Sequence, residues 1–352
     1  MIYYVIAALA PLVAWYVGEL IKKTNRKTNV ERDLKWLLYL GVLPMFLLYV
    51  LRASNVGGDT PGYVRMFQDI LPDVDFVDLF TSKQTKGEEY GYLVYAKVIS
   101  LFTNDYTIYF LINGLVVFGS LMHFAKRYTK NPLIFFFLFV TLGTYSFVLT
   151  GLRQSLAIAV CLWAVDMVKK KKFLRFLLMV YLASLFHKSA IVFIAIYPFS
   201  KLKRTDAIAT AYVIVGTVLF LGFAFFQDLF NQLLGYDYAV EATGNGEIFL
   251  VLIAMMFVFS VYTLQEHTPG KSENNLVFHL GALTVLLWVL RMVSRTAERI
   301  SYYFITGFYA YFASACAYQR DKTIGVIKWL IIIASLALFV YRNLGAYYAF
   351  VF

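Results

Sequence analysis

The sequence predicts an all-α, polytopic integral membrane protein, and composition, segment length and charge placement each support this class. Hydrophobic residues make up 61% of the 352 residues and charged residues only 15%, while the mean hydropathy is +0.67. Soluble globular domains are less apolar than this. Most apolar residues fall in runs long enough to cross the hydrocarbon core of a bilayer as a helix, which needs about 20 residues. The predicted fold is therefore a bundle of transmembrane helices.

About twelve apolar runs in succession are predicted to be spanning helices. They cover residues 2–21, 35–52, 106–124, 132–150, 152–168, 173–188, 189–200, 206–226, 247–265, 276–292, 298–318 and 324–342. The first run is followed by a basic cluster instead of a small-residue cleavage site, so we expect it to be retained as a helix. Residues 189–200 are short for a span, which implies shifted ends or a locally thinner bilayer.

One apolar segment, residues 90–103, is too short to cross, because a span needs roughly 18 residues. A crossing here would also reverse the side of every later basic cluster. We therefore predict an interfacial or re-entrant helix, with its tyrosines at the level of the lipid headgroups. Residues 66–71 and 77–80 have the pattern of further short amphipathic helices. The chain is thus predicted to be a single transmembrane domain, residues 1–352, with an extracytoplasmic loop 53–105 that contains interfacial helices.

The excess of basic residues, 32 Lys+Arg against 21 Asp+Glu, follows the positive-inside rule. With the predicted spans, all the basic clusters fall on one side, which is therefore cytoplasmic. The clusters are Lys22, Lys23, Arg26, Lys27, Arg32 and Lys35; Lys126, Arg127 and Lys130; Lys169 to Lys172 with Arg175; Lys201, Lys203 and Arg204; and Arg320, Lys322 and Lys328. Topology accounts for the charge, so we expect the lipid bilayer as partner and no nucleic acid. Both termini, loop 53–89 and residues 227–246 are then outside.

Arginines on the outer side run against this rule, so each suggests a local function. Arg52 ends the second apolar run and is followed by Gly57, Gly58 and Asp59. Two glycines free the backbone beside a guanidinium group, which suits the binding of an anion. The same stretch also suits a polar turn that merely closes a helix.

Further charged residues are predicted at the same outer level, at the ends of other helices. They are Arg153, His187, Arg291, Arg295 and Arg299. Each alone has an ordinary explanation, since an arginine at a helix end reaches headgroup phosphate and a lone histidine is more often structural. Several guanidinium groups together with a histidine and carboxylates favour instead a site for a lipid-linked diphosphate.

Four motifs follow one another between about residues 40 and 310. They are Arg52 with Gly57-Gly58-Asp59-Thr60 and Tyr63, then Glu89-x-Gly91-Tyr92, then Arg153-Gln154 with Leu156-Ala157, and then Phe186-His187-Lys188-Ser189-Ala190. In this order they resemble the EpsG family of bacterial exopolysaccharide proteins, which is related to the Wzy-type repeat-unit polymerases. The segment Arg299-x-Ser301-x-Tyr303-Phe304 is similar to the family's late arginine segment. One departure is Tyr90, at a position where the family pattern leads us to expect proline.

The resemblance implies a fold similar to the integral membrane glycosyltransferases of the bacterial cytoplasmic membrane, with the active site on the extracytoplasmic side. It implies an inverting transfer from an undecaprenyl-diphosphate-linked oligosaccharide donor to a second lipid-linked repeat unit, with other polysaccharide export proteins as further candidate partners. Arginines can stabilise a departing diphosphate, so no metal and no other cofactor is expected. The nearest acidic pair, Asp73-x-Asp75, is interpreted as part of a solvated loop.

The candidate catalytic residues are His187, Asp59 and Glu89. His187 is favoured as the general base, because imidazole is largely neutral and competent to take a proton at neutral pH. Asp59 beside Arg52 would stay ionised and orient that arginine. Candidate residues for binding diphosphate and sugar are Arg52, Tyr63, Tyr92, Arg153, Gln154, Arg291, Arg295, Arg299 and Tyr303.

Two other functions remain open from the sequence. A lipid-oligosaccharide flippase or other transporter could have the same number of helices, although its polar residues would lie near the middle of the bilayer. A glycan ligase, which joins the same donor to a different acceptor, would share the donor site, the histidine and the arginines.

Overall fold

The computed structural model confirms the helical class: in the part of the chain that it describes, every regular element is a helix. The structure describes residues 2–24, 30–83, 85, 87–203, 206–222, 246–267, 272–292, 294–318 and 322–343, with a few positions between 225 and 232. Most of the predicted outer segment 227–246, together with Arg26, Lys27, Arg204 and Arg320, lies outside the described residues.

The helices agree with most of the predicted apolar runs to within a few residues. The α-helices are α1 (Ile2–Thr24), α2 (Val30–Val50), α3 (Thr60–Arg65), α4 (Tyr90–Ser100), α5 (Tyr106–Tyr128), α6 (Pro132–Thr141), α7 (Thr144–Thr150), α8 (Leu152–Lys169), α9 (Phe173–Phe186), α10 (Ile196–Phe199), α11 (Asp206–Leu221), α12 (Glu247–His267), α13 (Ser272–Arg291), α14 (Arg295–Ser301), α15 (Ile305–Cys316) and α16 (Lys322–Asn343). A π-helical turn (Met66–Ile70) and 3-10 segments (Leu71–Asp73, Asp78–Phe80 and Lys188–Ala195) complete the described elements.

Four of the described helices, α1, α5, α12 and α16, are by themselves long and apolar enough to cross a membrane. Helices α6 and α7 meet the same test together but are bent by 66°, so they form either a fifth, broken span or a re-entrant loop. These helices make the chain a membrane protein. The predicted total of about twelve crossings is not confirmed, because several other apolar helices have only 10–17 residues.

Helix α6 lies at the centre of the bundle, where it contacts α1, α2, α5, α15 and α16. Its residues Leu133 to Thr141 are all buried. A helix that is apolar on every side gains most by being covered on every side, which explains its central place. Helix α15 is likewise buried from Ile305 to Ala315.

Two predicted spans are interrupted, and a third is wound differently from an α-helix. Gly143, at φ +87°, separates α6 from α7 in a left-handed conformation that glycine adopts without strain. The predicted helix 298–318 breaks between Ser301 and Ile305, where the chain makes a turn. The short segment 189–200 is wound mostly as a 3-10 helix. Because 3-10 winding rises about 2.0 Å per residue instead of 1.5 Å, it lengthens this segment by several ångströms.

The predicted basic clusters meet at one end of the bundle. The Asp166 carboxylate of α8 accepts a hydrogen bond from Tyr128 at 2.5 Å and contacts Arg127 at 2.8 Å and His123 at 3.0 Å, all at the end of α5. Tyr197 donates to the Lys171 carbonyl at 3.4 Å. The arginines and the histidine predicted to lie outside are at the opposite ends of these helices. The candidate site residues are thus separated from the basic clusters.

Candidate functional site

Arg52 turns into the protein instead of facing the outer surface. It is 1% exposed, and one of its Nη atoms donates to the Tyr49 carbonyl at 2.7 Å. The guanidinium carbon lies 4.2 Å from the ring centre of Tyr49 and 3.7 Å from that of Phe110. The expected pairing of Arg52 with Asp59 is wrong, since no ion pair joins these two described residues. Two aromatic faces and a carbonyl compensate the buried charge in place of a carboxylate.

The first glycine of the pair allows close packing in this structure. Gly57 has φ +98°, and a Cβ at this position would come within 2.9 Å of the Thr150 hydroxyl and 3.0 Å of the Leu149 carbonyl oxygen. Thr60 donates to the same Leu149 carbonyl at 3.1 Å. The loop after Arg52 is thereby held against the end of α7, directly before Arg153 at the start of α8. Gly57 is therefore required for this contact with α7, while Gly58 lies in the lining of a neighbouring crevice.

A second glycine brings two predicted catalytic residues together. A Cβ on Gly91 would lie 2.7 Å from the Leu185 Cβ and 2.8 Å from the Leu185 carbonyl oxygen. Helix α4 therefore packs backbone to backbone against the end of α9. Glu89, which precedes α4, is placed by this contact beside His187, which follows α9.

The centre of the site is a cluster of Glu88, Glu89, Arg153 and His187, which we call the charged cluster. Arg153 donates from Nη1 to Glu89 at 2.5 Å and to Glu88 at 2.6 Å. The other Glu89 oxygen lies 2.8 Å from Nδ1 of His187. Glu89 is 7% exposed, and the side chain of His187 is 14% exposed. Charge-assisted hydrogen bonds at these distances fix the relative positions of the three elements.

The pKa values of the two adjacent glutamates are shifted in opposite directions. Burial raises the pKa of Glu88, the Arg153 charge lowers it and the Glu89 charge raises it again, so that the pKa lies above the ordinary value. Burial also raises the pKa of Glu89, but the hydrogen bond with His187 and the Arg153 charge outweigh burial, and the pKa lies below the ordinary value. A pair of carboxyls separated in this way is a common arrangement at sites of proton transfer.

A crevice of about 350 Å³ opens beside the charged cluster. Its lining includes Asp59, Tyr63, Glu88, Tyr92 and Arg153. The Tyr63 hydroxyl accepts from Nε of Arg153 at 3.4 Å, and its ring meets that of Tyr92 edge to face at 5.7 Å. Aromatic rings beside charged groups suit the apolar faces and hydroxyls of a sugar.

The Tyr92 hydroxyl is buried behind this crevice and accepts a hydrogen bond from Tyr109 at 3.2 Å. Tyr109 in turn stacks on Phe67, with ring centres 4.3 Å apart. Tyr92 therefore supports the wall of the crevice, while Tyr63 and Glu88 connect it to Arg153.

The late arginine segment lies next to the same cluster. Gln154 donates to the Arg299 carbonyl at 2.7 Å, and the hydroxyls of Tyr303 and Ser189 lie 3.1 Å apart. These bonds join α14 to the residues that follow Arg153 and His187. Arg295 and Arg299 are one turn apart and both exposed. Neither forms an ion pair within the described part of the chain.

Arg291 differs from these two arginines because it has an acidic partner. Its Nε donates to Glu298 at 3.1 Å, and the other Glu298 oxygen accepts from Tyr302 at 3.1 Å. The Tyr302 ring stacks on Phe147 at 3.9 Å. Arg291 thus anchors α14 to α13, whereas Arg295 and Arg299 are available to a ligand.

Glu88 is a member of the cluster that sequence reasoning did not select. Its signal was its adjacency to Glu89, but two neighbouring acids at a helix start also occur without a function. No group of three or more histidine, cysteine, aspartate or glutamate residues with the arrangement of a metal site occurs among the residues described. Asp73 and Asp75 are exposed in their loop.

The fold and site define a helical integral membrane protein with a cluster of ionisable side chains and an aromatic crevice at one end of its bundle. The chain belongs to the EpsG family, whose model matches residues 35–351, nearly the whole sequence. It is thereby a polysaccharide-related membrane protein, as the sequence motifs indicated. Searches of curated proteins and of solved structures found no match.

Proposed function

We propose that this protein is a glycosyltransferase that polymerises lipid-diphosphate-linked oligosaccharide repeat units for an exopolysaccharide or other surface polysaccharide. The observation that carries the proposal is the hydrogen-bonded series Arg153, Glu89 and His187 beside a crevice with tyrosines. Family membership supports the polysaccharide context. The donor would be an undecaprenyl-diphosphate-linked oligosaccharide, and the acceptor a second lipid-linked unit at the outer face of the bacterial cytoplasmic membrane.

His187 is assigned as the general base, with Glu89 as its orienting partner. A neutral imidazole that donates Nδ1–H to Glu89 carries its lone pair on Nε2, where it can take the proton of the acceptor hydroxyl. Arg153 holds Glu89 ionised and in place. The hydroxyl oxygen then attacks the anomeric carbon, and the bond to the diphosphate oxygen breaks with inversion.

The diphosphate is assigned mainly to Arg295 and Arg299. Arg153 already contacts two carboxylates, so a diphosphate at the charged cluster would meet more negative than positive charge. The exposed guanidinium groups on α14 have no such competition. They can bind phosphate oxygens in pairs and stabilise the departing lipid diphosphate without a metal ion.

The test is chain growth by the purified protein with one lipid-linked repeat unit as the sole substrate. A polymerase gives a ladder of longer lipid-linked chains, whereas a ligase that needs another acceptor, or a flippase, gives none. His187→Ala should bind the donor yet fail to elongate. Arg299→Ala should weaken donor binding, and Arg175→Ala, an exposed arginine at the opposite end of the bundle, is the matched control.

The same assay tests the assignment of His187 as the base against the neighbouring carboxyl of Glu88. Normal elongation by His187→Ala together with arrest in Glu88→Gln would transfer the role of base to Glu88. Unchanged donor binding in an Arg295→Ala/Arg299→Ala double variant would refute the diphosphate assignment.

A further inference from the structure

A large cavity lies at the opposite end of the bundle from the charged cluster. Its volume is about 790 Å³. The ends of α1, α5 and α15 and the beginnings of α2, α6 and α16 enclose it. Nothing in the proposed glycosyl transfer uses this cavity.

The lining of the cavity is strongly basic. Six lysines contribute to it: Lys22, Lys23, Lys35, Lys126, Lys130 and Lys328. Glu19, which pairs with Lys22 at 2.7 Å, is the single acidic residue among the described residues of the lining. Like charges around one cavity repel each other, and a bound anion relieves this repulsion. The charge balance therefore favours an anionic ligand.

Lys328 stands apart from the other lysines because it is 3% exposed. Its ammonium nitrogen lies 5.5 Å from the ring centre of Trp15, and the rings of Trp15 and Trp329 are 5.3 Å apart. Two tryptophans beside lysines at the end of membrane helices are typical of the lipid headgroup level. Lys328 therefore adds a positive charge on the buried side of the cavity wall.

An apolar groove leads away from this cavity along α16. Its volume is about 440 Å³, it shares Trp329 with the cavity, and it continues past Val326, Leu330 and Ile333. A basic cavity joined to an apolar groove matches a ligand that has a phosphate head and a hydrocarbon chain, and it does not match a free nucleotide or inorganic anion.

We propose that the lysine cavity binds the headgroup of an anionic phospholipid of the bilayer, with an acyl chain in the groove along α16. Basic pockets between the cytoplasmic ends of membrane helices are suited to lipids of this charge. The lipid would bridge α1, α2, α5 and α16, whose ends would otherwise repel through their lysines. Its binding should therefore stabilise the folded protein.

The experiment uses the full-length protein, purified in an uncharged detergent and titrated with one lipid at a time. Bound lipid is counted by native mass spectrometry, and stability is followed by the unfolding temperature. Cardiolipin and phosphatidylglycerol should bind and raise the unfolding temperature, while phosphatidylcholine and inorganic phosphate should do neither. Equal effects of phosphatidylcholine, a response to inorganic phosphate alone, or selective binding of a polyprenyl phosphate would each overturn the proposal.

Variants locate the site. Lys126→Gln/Lys130→Gln removes two exposed lysines of the lining and should weaken cardiolipin binding roughly tenfold or more. Lys170→Gln/Lys172→Gln changes two exposed lysines of the α8–α9 turn at the same end of the bundle and should leave binding unchanged. Equal losses of cardiolipin binding in the two double variants would show that general surface charge attracts the lipid, and would refute the cavity as its binding site. Lys328→Gln should lose both cardiolipin binding and the lipid-induced stabilisation. If this buried variant does not fold, the result for Lys126→Gln/Lys130→Gln decides whether the cavity binds the lipid.

Discussion

Glu88 and Glu89 contact the same guanidinium group, yet neutralising each should change stability in opposite directions. The pKa of Glu89 is lowered, so its ionised form stabilises the fold above its ordinary pKa, and this contribution is lost only as the pH falls through the lowered value. The pKa of Glu88 is raised, so its ionised form is disfavoured in the fold. Stability should therefore increase as the pH falls from the raised pKa of Glu88 to its ordinary value.

The magnitudes follow from burial and bond distances. Glu89→Gln removes the charged acceptor of bonds at 2.5 Å to Arg153 and 2.8 Å to His187. Hydrogen bonds to charged groups contribute about 1.5–3 kcal/mol each, and glutamine retains part of them. A loss of roughly 2–3 kcal/mol would lower the unfolding temperature by about 3–4 °C in a chain of 352 residues. The Glu88 side chain is 28% exposed, and such ion pairs contribute only about 0–1 kcal/mol. Because burial outweighs this contribution and raises the pKa of Glu88, Glu88→Gln should leave the unfolding temperature unchanged or slightly raised.

The assay is thermal unfolding of the purified protein in detergent at pH 7.5 and pH 5. The deficit of Glu89→Gln should be present at both values, because Glu89 stays ionised at pH 5. Any gain in Glu88→Gln should shrink at pH 5, where Glu88 in the parent protein begins to take up its proton. Glu88→Gln is the matched control for Glu89→Gln, because the same substitution is made at the adjacent residue. Equal losses in the two variants, or no loss in Glu89→Gln, would refute the reasoning.

Three further outcomes are expected. Gly91→Ala should push α4 away from Leu185 and reduce chain growth more than tenfold while the protein still folds. Gly119→Ala is the control, because a Cβ there meets nothing within 4 Å, and it should change neither folding nor activity. Normal activity of Gly91→Ala would contradict the packing argument. Asp166→Asn should lower the free energy of unfolding by about 1–3 kcal/mol, because it weakens the hydrogen bonds between α5 and α8, and chemical unfolding in detergent measures this. A cysteine at Lys83 should react with an impermeant thiol reagent in intact cells and one at Lys171 should not, and the reverse pattern would invert the topology.

Much of the helical architecture could be predicted from the sequence because hydropathy is a local property. Helices α1, α5, α12 and α16 are apolar over enough residues to cross a bilayer, whatever their neighbours are. The short α4 was predicted for the same reason. The breaks at Gly143 and after Ser301 were not, since a bend in an apolar run changes its direction without changing its composition.

The sequence by itself determined that this is a helical membrane protein of the EpsG family and that the candidate site arginines and His187 occur near helix ends. Tertiary structure alone decided which of them meet. Glu89 and His187 are separated by 98 positions, and the contact depends on the missing side chain of Gly91 at Leu185. Arg52 lies just after the last residue of α2 and Arg153 lies in the first turn of α8, but the rings of Tyr49 and Phe110 hold Arg52 inside the protein. A residue's type sets the charge it can supply, whereas the packing of distant helices sets whether that charge meets a carboxylate, an aromatic ring or a ligand.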